Sequence, residues 1–111
     1  MGGGISKVIE EWVSEDGKQW YRVWSSGFIE QGGNDYGTVF ATRRNIVFIK
    51  PFTKTVVSLL FGSAGEPNNT TFEGGVVMNG GNSLTLTGFT YSGVSGENHV
   101  NNSTSWYACG Y

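Results

Sequence analysis

Trp20 to Gly33 reads WYRVWSSGFIEQGG, and the fold is decided by how this stretch is read. Trp20, Tyr21, Trp24 and Phe28 share it with one Arg, a Ser-Gly pair and a closing Gly-Gly. Aromatic and β-branched residues at this density, cut by turn residues, argue for a tight antiparallel meander and against a helix. The strand before it, Ile5 to Ser14, is joined through Asp16-Gly17, a strong two-residue hairpin signal because Gly accepts positive φ without cost. Such a loop opposes Val13 to Trp20, Glu11 to Arg22 and Ile9 to Trp24. A second two-residue turn at Ser26-Gly27 sets Trp24 beside Ile29 and Arg22 beside Gln31. The expected rows are therefore Glu11–Arg22–Gln31 and Ile9–Trp24–Ile29, with Val13–Trp20 flanking them. The opposed Glu11 and Arg22 favour this register, since a cross-strand ion pair adds roughly 0.2–1 kcal/mol. A slip of one residue breaks every match.

The hairpin is apolar on both faces. Ile9 and Val13 oppose Val8 and Trp12, while Trp20 and Trp24 oppose Tyr21 and Val23. A sheet with one wet face has room for only one of these sets, so a second layer or another chain must cover the other. Arg22 has two readings, a ligand-facing cation braced by aromatics or an ion pair with Glu11 aided by cation–π contact. The second is preferred because its partners are supplied locally.

Outside this stretch, 111 residues make one domain that buries about two-thirds of its unfolded surface. Charged residues are 14% and the net charge is −2. Nucleic acid is therefore not an expected partner, because phosphate binding needs clustered Lys and Arg. Eighteen Gly, seven Phe, five Tyr and four Trp suit many short strands. Cys109 is the single cysteine, which excludes an internal disulfide and fits a small buried hydrophobe. No apolar run approaches the ~20 residues of a membrane span, so no membrane insertion is expected. Met1 to Gly4 reads as a start with a short linker, which suggests a piece of a longer protein.

Further strands are expected along the rest of the chain, with Gly32-Gly33-Asn34 ending the meander. Tyr36 to Ala41 is a short strand, Arg43-Arg44 a solvated corner, and Asn45 to Pro51 a strand stopped by Pro51, which cannot donate to a ladder. Thr55 to Phe61 reads as a central strand. Gly62 to Thr71 is a polar loop, Phe72 to Met78 a strand, and Ser83 to Thr87 another, with Phe89 to Ser92 continuing beyond a bend or bulge. Gly93 to Thr104 is a second polar loop before the closing strand Ser105 to Tyr111. Nine or ten strands and no helix-period segment give an all-β sandwich, with a join near 33–36. Residues 1–4 are the linker, 5–35 the meander and 36–111 the sandwich.

With these motifs assembled, WYRVWSSGFIEQGG resembles the opening of the C-terminal domain of tailed-phage and prophage tail-fibre proteins. Pro51-Phe52, the Val-rich strand after it, TGFT (Thr87 to Thr90) and the closing WYACGY are similar to the same family. From about residue 36 the chain also resembles H-type lectin-like domains, small β-sandwiches that assemble as trimers. Thr55 and Cys109 depart from the usual Pro and aliphatic residue at those places. The resemblance implies a homotrimeric fibre tip on a virion that recognises a bacterial surface, with a glycan as the expected receptor. It makes 5–35 a trimer stem and 36–111 the tip. It carries over no binding residue.

No catalytic constellation emerges. Glu10, Glu11, Glu15 and Asp16 are neighbours on a hairpin, whereas glycosidase carboxylates sit about 5–10 Å apart across a cleft. A triad through His99 lacks a G-x-S-x-G elbow. One His per chain is a poor metal site, and three copies of His99 on a trimer axis would be needed to hold an ion; no cofactor is expected. Candidate ligand contacts are Asn68, Asn69, Asn98, His99, Asn101 and Asn102 in the polar loops, whose amides bond sugar hydroxyls, with Tyr36 and Tyr91 as stacking faces. Glu11, Trp20, Arg22, Trp24, Gln31 and Trp106 are assigned to the scaffold. Three functions remain open: non-catalytic receptor recognition, a structural domain that caps or nucleates a trimer, and a polysaccharide depolymerase.

Overall fold

The structure is a computed structural model that describes residues 5–38, 43–63, 75–78, 83–94 and 102–111. Among them are eight strands and no helix: β1 (Val8–Val13), β2 (Gln19–Trp24), β3 (Ile29–Thr38), β4 (Arg43–Val47), β5 (Val56–Ser63), β6 (Gly75–Met78), β7 (Gly88–Val94) and β8 (Asn102–Gly110). They form two antiparallel sheets, one of five strands in the order β1-β2-β3-β8-β5 and one of three in the order β4-β7-β6. The all-β expectation holds.

The first hairpin keeps its register through a wider loop. Glu11 faces Arg22 and Val13 faces Trp20, but the ladder closes at Ser14, whose N–H donates to the Gln19 carbonyl at 2.8 Å. Asp16 organises the loop by accepting from the Ser14 hydroxyl (2.6 Å) and the Lys18 N–H (2.9 Å). The expected Ile9–Trp24 pair is not formed. A bulge at Ile9 puts Val8 opposite Trp24 instead.

The second hairpin slips by one residue. Its loop is Ser25-Ser26-Gly27, closed by Gly27 N–H to the Trp24 carbonyl (2.8 Å) and by Trp24 N–H to the Phe28 carbonyl (2.8 Å). Gly27 sits at φ 92°, the left-handed position that closes a three-residue hairpin. Arg22 therefore faces Glu30, Val23 faces Ile29 and Tyr21 faces Gln31. The polar row is Glu11–Arg22–Glu30, and Gln31 moves to the opposite face, as period-two geometry requires.

Gly32-Gly33-Asn34 does not end the meander. β3 runs through it and pairs with β8 from Ile29–Gly110 to Thr38–Asn102. The two glycines serve close approach: a Cβ at Gly32 would stand 3.0 Å from the Trp20 indole nitrogen, and one at Gly33 would stand 3.0 Å from that of Trp106. The join expected at 33–36 thus falls inside one continuous strand. Three other expectations are also revised. Arg44 is in β4 and ion-paired to Asp35 at 2.6 Å, not at a solvated corner. β5 is an edge strand, because β8 takes the place beside it. The stretch Ser83 to Thr87 contributes only an isolated bridge, Leu84 to Phe89.

The core lies between the sheets and is mostly aromatic. Phe48, Phe52, Phe89, Tyr91, Trp106, Ala108 and Ile29 are buried together. Phe48 and Phe52, in the irregular run after β4, meet at 5.0 Å between ring centroids. Phe89 reaches Trp106 at 5.4 Å across the sandwich. Burial at this scale is worth roughly 1.5–3 kcal/mol for each such ring.

Candidate functional site

Strand register shows where the chain's longer connections begin and end. Thr38 pairs with Asn102, Ser63 with Thr104, Arg43 with Ser92 and Gly75 with Val94. The strand ends joined by 39–42, 64–74 and 95–101 thus lie at one pole of the sandwich. Ile29, Val56 and Gly110 mark the opposite pole, where Val8 pairs with Trp24 and the Tyr111 backbone oxygen accepts from Thr53, Lys54 and Thr55 N–H.

A half-buried ionic cluster ties the two sheets near the Thr38–Asn102 pole. Arg44 donates to both oxygens of Asp35, at 2.9 and 2.6 Å. The Tyr91 hydroxyl donates to the same carboxylate. Burial pushes the Asp35 carboxyl up, but the hydrogen bonds from Arg44 and Tyr91 and the Arg44 charge outweigh it and hold it below its ordinary value. The bidentate geometry fixes direction as well as distance.

The outer face of the five-stranded sheet carries a second network. Glu30 accepts from Trp24 Nε1 at 3.0 Å and from the Tyr107 hydroxyl at 2.8 Å. Arg22 donates to Glu11 at 2.6 Å and lies over the Trp20 ring at 5.1 Å. Burial, and then the bond to Glu30, push the Tyr107 hydroxyl well above its ordinary value. Exposed Ile9, Val13 and Leu60 share this face, and no second layer covers it among the described residues.

On the other face of the same sheet, Gln31 is wholly buried. Its amide donates to the Lys50 carbonyl at 2.6 Å and accepts from the Lys50 N–H at 3.0 Å. The Lys50 ammonium reaches Glu10 at 3.0 Å and lies 5.5 Å from the Tyr21 ring centroid. The Tyr21 hydroxyl also donates to Glu10, and its hydrogen bond, followed by that from Lys50, lowers the Glu10 carboxyl.

The sequence-expected contact residues fare unevenly. Tyr91 offers no stacking face: it is 0% exposed and packs between Phe61 and Phe89. Tyr36 and Asn102 belong to β3 and β8 at the pole of the connections. Asn68, Asn69, Asn98, His99 and Asn101 lie outside the described residues, as does any arrangement of His99 about an axis. Among the described residues no group of three His, Cys, Asp or Glu is placed to hold a metal. Sequence reasoning passed over Asp35, Arg44 and Lys50, because nothing local marks their partners, which lie 9 to 56 residues away.

No protein-family profile and no curated protein matches this sequence. Solved structures do. An N-truncated R1-type pyocin tail fibre aligns with a TM-score of 0.67 at 17% identity, covering 98% of this chain and 88% of that one. An N-truncated R2-type pyocin tail fibre gives 0.66 at 16%, over 99% of this chain and 39% of that one. The C-terminal part of the Pseudomonas aeruginosa R2 pyocin fibre gives 0.64 at 17%, over 98% of this chain and 26% of that one. This chain therefore spans well under half of two of the fibres it matches. It has the fold of pyocin tail-fibre domains.

Proposed function

We propose that this chain is the receptor-binding end of a phage- or pyocin-type tail fibre, a homotrimer that attaches without catalysis to a glycan on a bacterial surface. The observation that carries the proposal is the gathering at one pole, away from Val8 and Tyr111, of the strand ends that border residues 39–42, 64–74 and 95–101. Loops on a rigid scaffold are where recognition concentrates. The stretches 64–74 and 95–101 contain Asn68, Asn69, Asn98, His99 and Asn101 in sequence, and Tyr36 and Asn102 lie on β3 and β8 near that pole. The likeness in fold to pyocin tail fibres supports the setting, at the tip of a fibre on a virion or virion-like particle. The apolar residues exposed on the outer face, Ile9, Val13 and Leu60, support self-association, and a trimer turns weak sugar contacts into avidity.

Purified chain is incubated with candidate host cells before and after their surface glycans are stripped. Binding to intact cells that stripping abolishes is the expected result. The outer-face network favours a second reading, a structural domain that caps a trimer and has no ligand. A stable trimer that binds no cell supports the cap, and sugar released from host polysaccharide would overturn both readings.

A further inference from the structure

The β1–β2 hairpin carries a stacked aromatic pair that neither sheet covers among the described residues. Trp12 and Tyr21 stack on the face opposite the Arg22 row, with centroids 6.0 Å apart and planes within 25°. Trp12 is 39% exposed, on an edge strand whose residues are all exposed. Charge is fixed at the edge of this surface. The Glu10 carboxylate accepts from both the Tyr21 hydroxyl and the Lys50 ammonium. Lys50 is held in place because buried Gln31 grips its backbone through both ends of the amide. The Glu10 and Lys50 side chains remain 45% and 36% exposed.

We propose that Trp12, Tyr21, Glu10 and Lys50 form a saccharide-binding platform, distinct from the connections at the pole. It rests on the reading of this chain as a glycan-binding adhesin and adds a site to it. The weakly positive C–H face of a pyranose lies on the exposed ring of Trp12, while the Tyr21 ring is engaged by Trp12 and by the Lys50 ammonium and braces it from behind. The Glu10 oxygens accept from hydroxyls of that sugar and the Lys50 ammonium donates to them. The ligand class is a neutral pyranoside with one unsubstituted C–H face and vicinal hydroxyls. A second copy of the chain suits this surface less well. Sealing an exposed ion pair under apolar protein loses its hydration, whereas a polyhydroxylated ligand replaces water hydrogen bonds in kind. The apolar row bearing Ile9 and Val13, on the other side of the hairpin, suits a copy better.

The test is nitrogen-15 NMR on the full chain, whose four tryptophans give four indole N–H signals. Glucose, galactose and N-acetylglucosamine are each titrated into the millimolar range. At least one sugar should shift a single indole signal, identified as Trp12 by its absence from Trp12→Phe. Trp12→Ala should weaken that sugar, followed on backbone amides, by about tenfold or more, and Lys50→Gln should weaken it while leaving the other indole signals in place. Failure of all three sugars to move the Trp12 signal overturns the platform, as does undiminished binding by a folded Trp12→Ala. A Trp12 signal that moves only with protein concentration, together with elution volume, assigns the surface to a second copy and also overturns it. Whole-cell binding separates the two proposals. Glycan-dependent attachment that persists in Trp12→Ala, with no sugar response at Trp12, leaves the adhesion reading standing and removes the platform. A sugar shift at Trp12 with no attachment to any cell does the reverse.

Discussion

A Cβ at Gly32 would stand 2.7 Å from the Trp106 carbonyl oxygen as well as 3.0 Å from the Trp20 indole nitrogen. The first neighbour is backbone in the middle of a sheet and cannot swing aside. Gly32→Ala should therefore destabilise the chain by about 1–3 kcal/mol, the usual cost of overpacking, seen as a lower midpoint in denaturant unfolding. Asp35 makes a different prediction. Its folded pKa is depressed, so its contribution is complete above the unfolded value of about 3.9 and disappears as pH falls through the lower folded value. Asp35→Asn should lose stability at neutral pH, by about 1–3 kcal/mol for the hydrogen bonds surrendered, and should show a shallower loss of unfolding midpoint between neutral and strongly acid pH. Equal acid sensitivity in the variant and the parent would show that other carboxylates dominate. Neither residue stands out in the sequence. Gly32-Gly33 looks like a turn because the indoles that need the space arrive from Trp20 and from Trp106, far down the chain, and Asp35 looks like an ordinary loop acid because Arg44 and Tyr91 are brought to it only by the fold.

At the scale of the element, the first hairpin was readable and the second was not. Opposed Glu11 and Arg22 fix one register whether the loop at Asp16-Gly17 holds two residues or four. Ser26-Gly27 fits a two- or a three-residue loop equally well, and nothing local chooses between them. The choice is made by packing: the shifted register sends Gln31 to the buried face against Lys50 and delivers Glu30 to Trp24 and Tyr107. Gly27→Ala probes that choice, since a side chain at φ 92° costs about 1–2 kcal/mol. Its melting temperature should fall by roughly 4–8 °C per kcal/mol, and an unchanged value would mean that the loop readily adopts another turn. Arg22→Ala should lower the melting temperature or impair assembly while properly folded protein still attaches to cells. A stable, fully assembled Arg22→Ala chain that no longer attaches would move Arg22 from the scaffold to the ligand.

At the scale of the whole molecule, the all-β class and the two-faced hairpin followed from composition and alternation. The sheet order did not, because pairing between distant strands leaves no local trace. The structure measures 54 × 34 × 22 Å, an elongated body with the strand ends that border 39–42, 64–74 and 95–101 at one pole. If its outer face joins copies, the chain should elute above monomer size at micromolar concentration, and Leu60→Glu should return it towards monomer by placing charge on that face. Monomeric wild type under the same conditions would count against the trimer.

The five-stranded sheet places β8, the last strand in chain order, between β3 and β5. This position governs the timing of folding. During synthesis β1 to β3 can form their hairpins early, but β3 and β5 have no common partner until residues 102–110 have left the ribosome. Contacts so distant in sequence make for slow folding, on the order of milliseconds to seconds. Until then two strand edges and the aromatic core stand open to other nascent chains. Folding yield in the cell should accordingly depend on chaperone supply and on the rate at which the final strand is delivered.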